Sequence, residues 1–365
     1  MTLTSSDLAR PTTADPPPAP ANTPIDADAP GRIGLGRRTL GIVVLVGVVF
    51  LAVLMSLAVG AKPIPIGSVI EAFVSFDPTV TDHLVVRELR LPRTIVGLLV
   101  GSALGVAGAL MQAVTRNPLA DPGILGVNAG ASFAVVIAIW AFGIGSVDGL
   151  VWFALIGAAV TSIVVYALGS IGRGGASPVR LALAGAALSA LLFALTRAVT
   201  LLDTATLDQF RFWAVGSLSG RDADVAWSLG PFIAVGFLIA VGISRPLNAI
   251  GLGDDTAAAL GIKVGVTRVL GGISIMLLCG AAVAAVGPIG FVGLVVPHAT
   301  RAWFGPDQRW LVPACALTGA GLLLACDTLG RVIARPGEVQ VGIMTAAIGG
   351  PVFVFLVRRM RMVKL

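Results

Sequence analysis

Charge is scarce in this chain. Asp, Glu, Lys and Arg make up only 12% of the 365 residues, where a water-soluble domain carries roughly a quarter. A fold with a solvated surface all round is therefore excluded. Only two histidines occur, His83 and His298, too few for a His-based metal site, and no metal ligand set is expected. Cys279, Cys315 and Cys326 all fall in apolar stretches, which argues against a disulfide framework and for packing roles. There is no phosphate-cradling Gly-x4-Gly-Lys-Ser/Thr loop, no His-Glu-x-x-His, no Cys-x-x-Cys and no Gly-x-Ser-x-Gly elbow, so the common nucleotide, zinc and serine-hydrolase signatures are missing. Carboxylates are nearly absent from the apolar stretches, which argues against a proton or sodium relay. Asp327 is the exception, and Arg331, one turn on, is its expected partner.

What is abundant is apolar sequence. The hydrophobic fraction is 56% and the mean hydropathy +0.95. Between Arg268 and Arg301 no charge occurs, and Gly287-Pro288-Ile289-Gly290-Phe291-Val292-Gly293 interrupts the run. That length exceeds one crossing of about 20 residues, so two crossings joined by a tight reversal are expected. Uncharged gaps place about ten crossings near 39–61, 94–115, 123–142, 149–169, 179–201, 225–244, 267–286, 290–304, 310–328 and 341–357. An even count puts both termini on one side. With that side inside, inner segments hold roughly twice the Lys and Arg of outer ones, which is the cytoplasmic bias of membrane proteins. Arg197 stands alone within the fifth crossing. The net charge of +6 follows from the same bias, and no nucleic-acid partner is implied. Gly101-xxx-Gly105 and Gly185-xxx-Ser189 have the spacing that lets helices approach closely. The reading is an all-α polytopic membrane protein. Residues 1–31, rich in Pro, Ala, Thr and Asp, read as a disordered cytoplasmic tail, with a proline-mediated partner motif as the alternative. The membrane domain covers 32–365.

Particular words in the chain are distinctive. They are Arg90-Leu91-Pro92-Arg93; Gly108-Ala109-Leu110-Met111-Gln112, followed by Arg116-Asn117-Pro118-Leu119-Ala120-Asp121-Pro122; and Trp213-Ala214-Val215-Gly216-Ser217. Later come Gly290-Phe291-Val292-Gly293-Leu294 with Pro297, His298 and Arg301, then Gly342-Ile343-Met344-Thr345 and Gly349-Gly350-Pro351. In order and spacing, over about 40–357, the chain resembles the FecCD-type permeases, membrane subunits of bacterial ABC importers for iron-siderophores, haem and vitamin B12. Glu338-Val339-Gln340-Val341-Gly342 departs from the family's Glu-Leu-Pro-Val-Gly, which leaves the local turn open.

The resemblance implies a type II importer fold of ten helices, with helices two to five and seven to ten related as an inverted repeat. It also implies a bacterial plasma-membrane location and a dimeric pathway formed with a second permease subunit, identical or paralogous. The implied partners are two ATP-binding subunits, which use ATP and Mg, and an extracytoplasmic substrate-binding lipoprotein or periplasmic protein. No cofactor bound directly to this chain and no catalytic residue are implied.

Residues 245–266 form the longest internal cytoplasmic loop, with Asp254-Asp255 ahead of an Ala run as at a helix N-terminus. By resemblance it carries short coupling helices, and Leu247, Asn248, Gly253, Ala257, Leu260 and Gly261 are the coupling candidates. Arg90, Arg93 and Arg331 are expected outside, as salt-sensitive docking cations for the binding protein or as interfacial anchors. Gly174, Gly175, Ala176 and Ser177 are the cytoplasmic-gate candidates. Asn117, Pro118 and Asp121 are read as turn formers, and Gln112 and Pro297 as structural motif positions. His298 and Arg301 are read as helix-end residues or ATPase contacts.

An ion-coupled secondary transporter is the competing class, disfavoured by the missing carboxylates. A membrane enzyme ranks third, because no pair of catalytic polar groups recurs at one depth. The family's commonest cargo makes a ferric siderophore the expected substrate, with haem and cobalamin as alternatives.

Overall fold

The computed structural model describes residues 34–171 and 178–362. The tail reading for 1–31 and the four gate candidates, Gly174 to Ser177, lie outside the described residues. Among the described residues every regular element is helical. The chain runs α1 (Leu35–Ala58), α2 (Ile66–Val74), α3 (Thr81–Leu84), a π-helical turn (Val85–Arg90), α4 (Leu91–Thr115), a 3-10 turn (Pro122–Leu125), α5 (Val127–Phe142), α6 (Val147–Ser170), α7 (Pro178–Leu202) and α8 (Thr204–Ala214). It continues through α9 (Ala223–Gly242), α10 (Ser244–Ile250), α11 (Asp254–Ala259), α12 (Val264–Val286), α13 (Val292–Phe304), α14 (Gln308–Ile333) and α15 (Val341–Met362).

Seven helices are long and apolar enough to cross a membrane, and α5 and α15 add shorter apolar spans. Their outward faces carry bare hydrocarbon. Phe50 is 64% exposed, Leu183 66%, Leu238 73% and Trp227 80%. Such a surface suits lipid, where backbone bonds close within each helix.

Helix α4 is the axle. It is buried along nearly its whole length and packs against α14, α12, α13 and α9. The small-residue spacing explains how. A Cβ on Gly101 would lie 2.5 Å from the Gly319 carbonyl oxygen, and one on Gly105 would lie 2.4 Å from that of Cys315. Backbone therefore meets backbone between α4 and α14, as small-residue spacing predicts.

The expected reversal after α12 differs from a simple hairpin. Helix α13 has 13 residues, about 20 Å at 1.5 Å per residue, short of a hydrocarbon core of about 30 Å. It packs against α4 and α14 rather than back along α12. Non-helical 287–291 makes up the difference inside the protein, where irregular backbone is tolerated. Ser217 N–H donates to the Val286 carbonyl (2.8 Å) and Gly342 N–H to that of Gly216 (3.1 Å). Three separated sequence motifs meet there. The departure at Gln340 leaves that turn intact: its carbonyl accepts from Ile343 N–H (3.0 Å) as α15 begins.

Candidate functional site

At one end of the bundle the 245–266 loop folds into α10 and α11. Leu247 and Ala257 are buried and fix the loop to the bundle, whereas Leu252 and Leu260 are 69% and 62% exposed. The sequence reading named Leu260 but missed Leu252. Asn248, in α10, donates from Nδ2 to Asp307 Oδ1 (2.7 Å) and accepts from Gln308 N–H (2.8 Å). Asp307 caps α14 and also faces Arg309 and Arg38. The Arg309 hydrogen bonds, with a further one from Asn248, outweigh partial burial and hold the Asp307 carboxyl at about 2. Asp254, the first residue of α11, pairs with Arg116 at the end of α4 (3.4 Å) and Arg268 near the start of α12 (3.0 Å). The loop is thus tied by polar contacts to α4, α12 and α14.

Gly253 and Gly261 both have left-handed φ values, +114° and +80°, a region that favours glycine. Apart from Gly261 and its two chain neighbours, no described heavy atom lies within 4 Å of where a Gly261 Cβ would sit. Its need for glycine within this chain is therefore conformational rather than one of crowding.

Beside the loop opens a cleft of about 540 Å³, lined by Arg38, Gln112, Arg116, Pro118, Asn248 and Arg301 among others. Gln112 and Arg301, 189 residues apart, meet here: Arg301 Nη2 donates to Gln112 Oε1 (3.1 Å). Arg301 therefore crosses to α4 rather than capping its own helix. Pro297 is buried within α13 and His298 is half-buried. Asn117 Oδ1 accepts from Leu119 N–H (3.0 Å) and Asp121 Oδ1 from Gly123 N–H (2.8 Å), the turn geometry expected of both. Burial raises the Asp121 carboxyl, against the lowering effect of that amide.

The opposite end corrects one expectation. Arg90 and Arg331 are buried, at 6% and 5% exposure, and the Arg93 side chain is only 12% exposed. None of the three is a free surface cation. Arg93 holds Asp327 Oδ1 (2.7 Å) and Glu338 Oε2 (2.9 Å). Arg331 pairs with Asp327 (3.2 Å) and donates to the Ser56 carbonyl (3.0 Å). Arg90 donates to the carbonyls of Leu57 (2.6 Å) and Lys62. These arginines tie α1, α4, α14 and the turn before α15 together. Asp327 takes Arg331 as expected, and Arg93 as well. Burial opposes the Glu338 charge, but Arg93 and the Ser219 hydroxyl more than offset it and leave the carboxyl lowered.

This architecture has clear relatives among known proteins. The FecCD transport family matches residues 48–359. The Escherichia coli (strain K12) ferric enterobactin transport system permease protein FepD is 47% identical over 322 residues, covering 88% of this chain and 96% of that one. The Bacillus subtilis (strain 168) probable siderophore transport system permease protein YfiZ is 42% identical, covering 87% and 95%. A solved inward-facing metal-chelate-type ABC transporter superposes with a TM-score of 0.76 at 28% identity, covering 88% of this chain and 99% of that one. The match runs through nearly every helix described above, and the chain belongs to the FecCD transport family, the multi-pass permease subunits of ABC importers.

Proposed function

We propose that the cargo is a ferric siderophore, that the chain forms half of the pathway with a second permease subunit, and that the α10–α11 loop receives a separate ATPase. The observation that carries the cargo is the set of relatives: proteins named for ferric enterobactin, siderophore and iron(3+)-hydroxamate each match over 87–89% of this chain. A hemin permease from Yersinia pestis, 40% identical over 75% of the chain, supports haem as the second reading.

The loop suits coupling on physical grounds. Leu252 and Leu260 offer apolar contact, while Asp254 and Asn248 carry any displacement to α4, α12 and α14. ATP and Mg act on the partner, and this chain supplies the moving wall. At the other end, Arg87 and Arg335 are the exposed arginines flanking the buried network. They replace Arg90, Arg93 and Arg331 as candidates for meeting an acidic binding protein. The excess of Lys and Arg in the inner segments supports a cytoplasmic position for the loop end.

Uptake of iron-55 siderophore, labelled haem and labelled cobalamin in a strain lacking this gene, with and without the chain restored, tests the cargo. Restoration of siderophore uptake alone is expected. Restoration of haem uptake alone overturns it. Co-purification of an ATPase, lost in a Leu252→Glu, Leu260→Glu variant, tests the docking loop.

A further inference from the structure

Arg197 lies inside α7, five residues before Leu202. Its side chain is exposed and makes no hydrogen bond or ion pair among the described residues. Arg90, Arg93 and Arg331 differ, since each of those donates to carbonyls or carboxylates. A cation in an apolar crossing is costly, and it is retained where it faces a watery cavity or reaches the interface. Here it lines a cleft of about 590 Å³ between α5, α7 and α8.

The lining is mostly apolar, with Phe193, Leu207 and Phe210 among it, but α5 sets two polar side chains opposite Arg197. Asn128 Oδ1 is buried without a hydrogen-bond partner among the described residues, and Asn128 lines the cleft. Ser132, also on α5, makes no side-chain hydrogen bond among the described residues. Arg211 of α8 also lines the cleft, but as one half of an ion pair with Asp208. The nearby acids are engaged elsewhere: Asp208 pairs with Arg211 (3.3 Å), and Asp203 accepts from Thr206 N–H (3.0 Å) as the cap of α8. Among the described residues no carboxylate pairs with Arg197. The groups left open are therefore a guanidinium, a hydroxyl and a carboxamide that can turn either end to a ligand.

We propose that Arg197 is a specificity-determining residue of the passage, receiving the negatively charged oxygen face of an anionic ferric chelate, with Ser132 and Asn128 opposite. This rests on the ferric-chelate reading above and adds a charge class to it. A guanidinium gives forked hydrogen bonds to paired oxygens, which is how a metal chelate of catecholate or carboxylate arms presents its outer face.

The test uses the complete transporter in proteoliposomes, with ATPase and binding protein, and two iron-55 probes. A ferric tricatecholate carries net charge −3, from Fe³⁺ and three dianionic arms. A ferric trihydroxamate is neutral. Arg197→Gln should lower tricatecholate uptake about tenfold, the scale of one lost charge-assisted hydrogen bond, and leave trihydroxamate uptake within about twofold. Arg197→Lys should retain most of it. Arg197→Cys should regain uptake after a reagent that attaches an aminoethyl cation through a disulfide, and not after a methylthio reagent. The native Cys279, Cys315 and Cys326 are buried and serve as the unreactive background. Equal loss for both chelates, no loss for either, or rescue by both reagents would overturn the site while leaving the importer reading standing. So would wild-type protein that carries only the neutral chelate, or an Arg197→Gln variant with fewer molecules inserted but unchanged uptake per molecule. Where only the tricatecholate is carried, the reagent pair decides. Wild-type protein that carries neither chelate overturns the ferric-chelate reading and the site with it.

Discussion

Asp327 is only 1% exposed and has both Arg93 and Arg331 within 3.2 Å. Removing one partner of a buried ionic network leaves the others without compensation, typically costing about 3–5 kcal/mol. Asp327→Ala should therefore lower thermal stability in detergent by an amount of that order, measured by loss of monodisperse protein on heating. Loss of less than about 1 kcal/mol would mean the arginines find water instead. Arg93→Glu should be as damaging, because it places a third acid beside Asp327 and Glu338. A test of binding-protein docking accordingly belongs on Arg87 and Arg335. Asp307 gives a pH expectation. Its carboxyl is held at about 2 in the folded chain, below the ordinary value near 4. The stability it contributes is complete above about pH 4 and is lost as pH falls towards 2. Between pH 8 and 5 the Asn248–Asp307 tie should stay intact, so uptake lost in that window has another cause. Asp307→Asn should loosen ATPase association at every pH, read by co-purification at pH 7 and 5; an effect confined to pH 5 would contradict it.

Helices α4 and α14 meet backbone to backbone, so a single side chain at Gly101 acts on two elements. A leucine there would drive into the Gly319 carbonyl, and overpacking of this kind costs about 1–3 kcal/mol or more. Gly101→Leu should reduce folded yield markedly, measured by fluorescence-detected size exclusion, whereas the same change at Gly47, which has open space around it, should be neutral. That contact was legible in the sequence because small residues four apart repeat along one helix face. The crossings were legible as gaps between charges, which is why α1, α6, α9 and α12 sit close to their expected positions. Helices α2 and α8 were missed because both are short and lie in charged connections, where periodicity over nine or eleven residues competes with turn-like composition. The short α13 was legible too: Gly287, Pro288 and Gly290 marked a break, and the expected 290–304 lies within two residues of Val292–Phe304. The buried arginines were misplaced because their acceptors are remote in sequence. Arg93 finds Asp327 and Glu338 more than 230 residues away, and a charge beside a hydrophobic run reads locally as an exposed end. Gln112 and Arg301 were both singled out, but only the fold brings them together.

For the whole molecule the two polar ends are distinct. One gathers Arg38, Arg116, Asp254, Arg268, Asn248 and Asp307, and the other Arg90, Arg93, Asp327, Arg331 and Glu338. The grouping agrees with alternating crossings, since loops assigned to one side do converge at one end. We propose that the α10–α11 end faces the cytoplasm, on the cation bias and on the loop that would meet an ATPase. A fluorescent protein that matures only inside the cell, fused after Leu365, should light up, and a periplasm-dependent phosphatase fused there should stay inactive. The reverse result would invert the orientation and place the α10–α11 loop outside, where no ATP-driven partner could reach it. Removing residues 1–30 should leave this orientation unchanged, because Arg32 remains ahead of α1 and Arg37 and Arg38 remain in its first turn, and cations at the start of the first apolar helix help to retain its end inside. Iron uptake in that truncation should stay within about twofold of the full chain when normalised to inserted protein. A truncation with normal insertion but no ATPase association would make the tail a partner-binding element, and the coupling surface would then extend beyond Leu252 and Leu260.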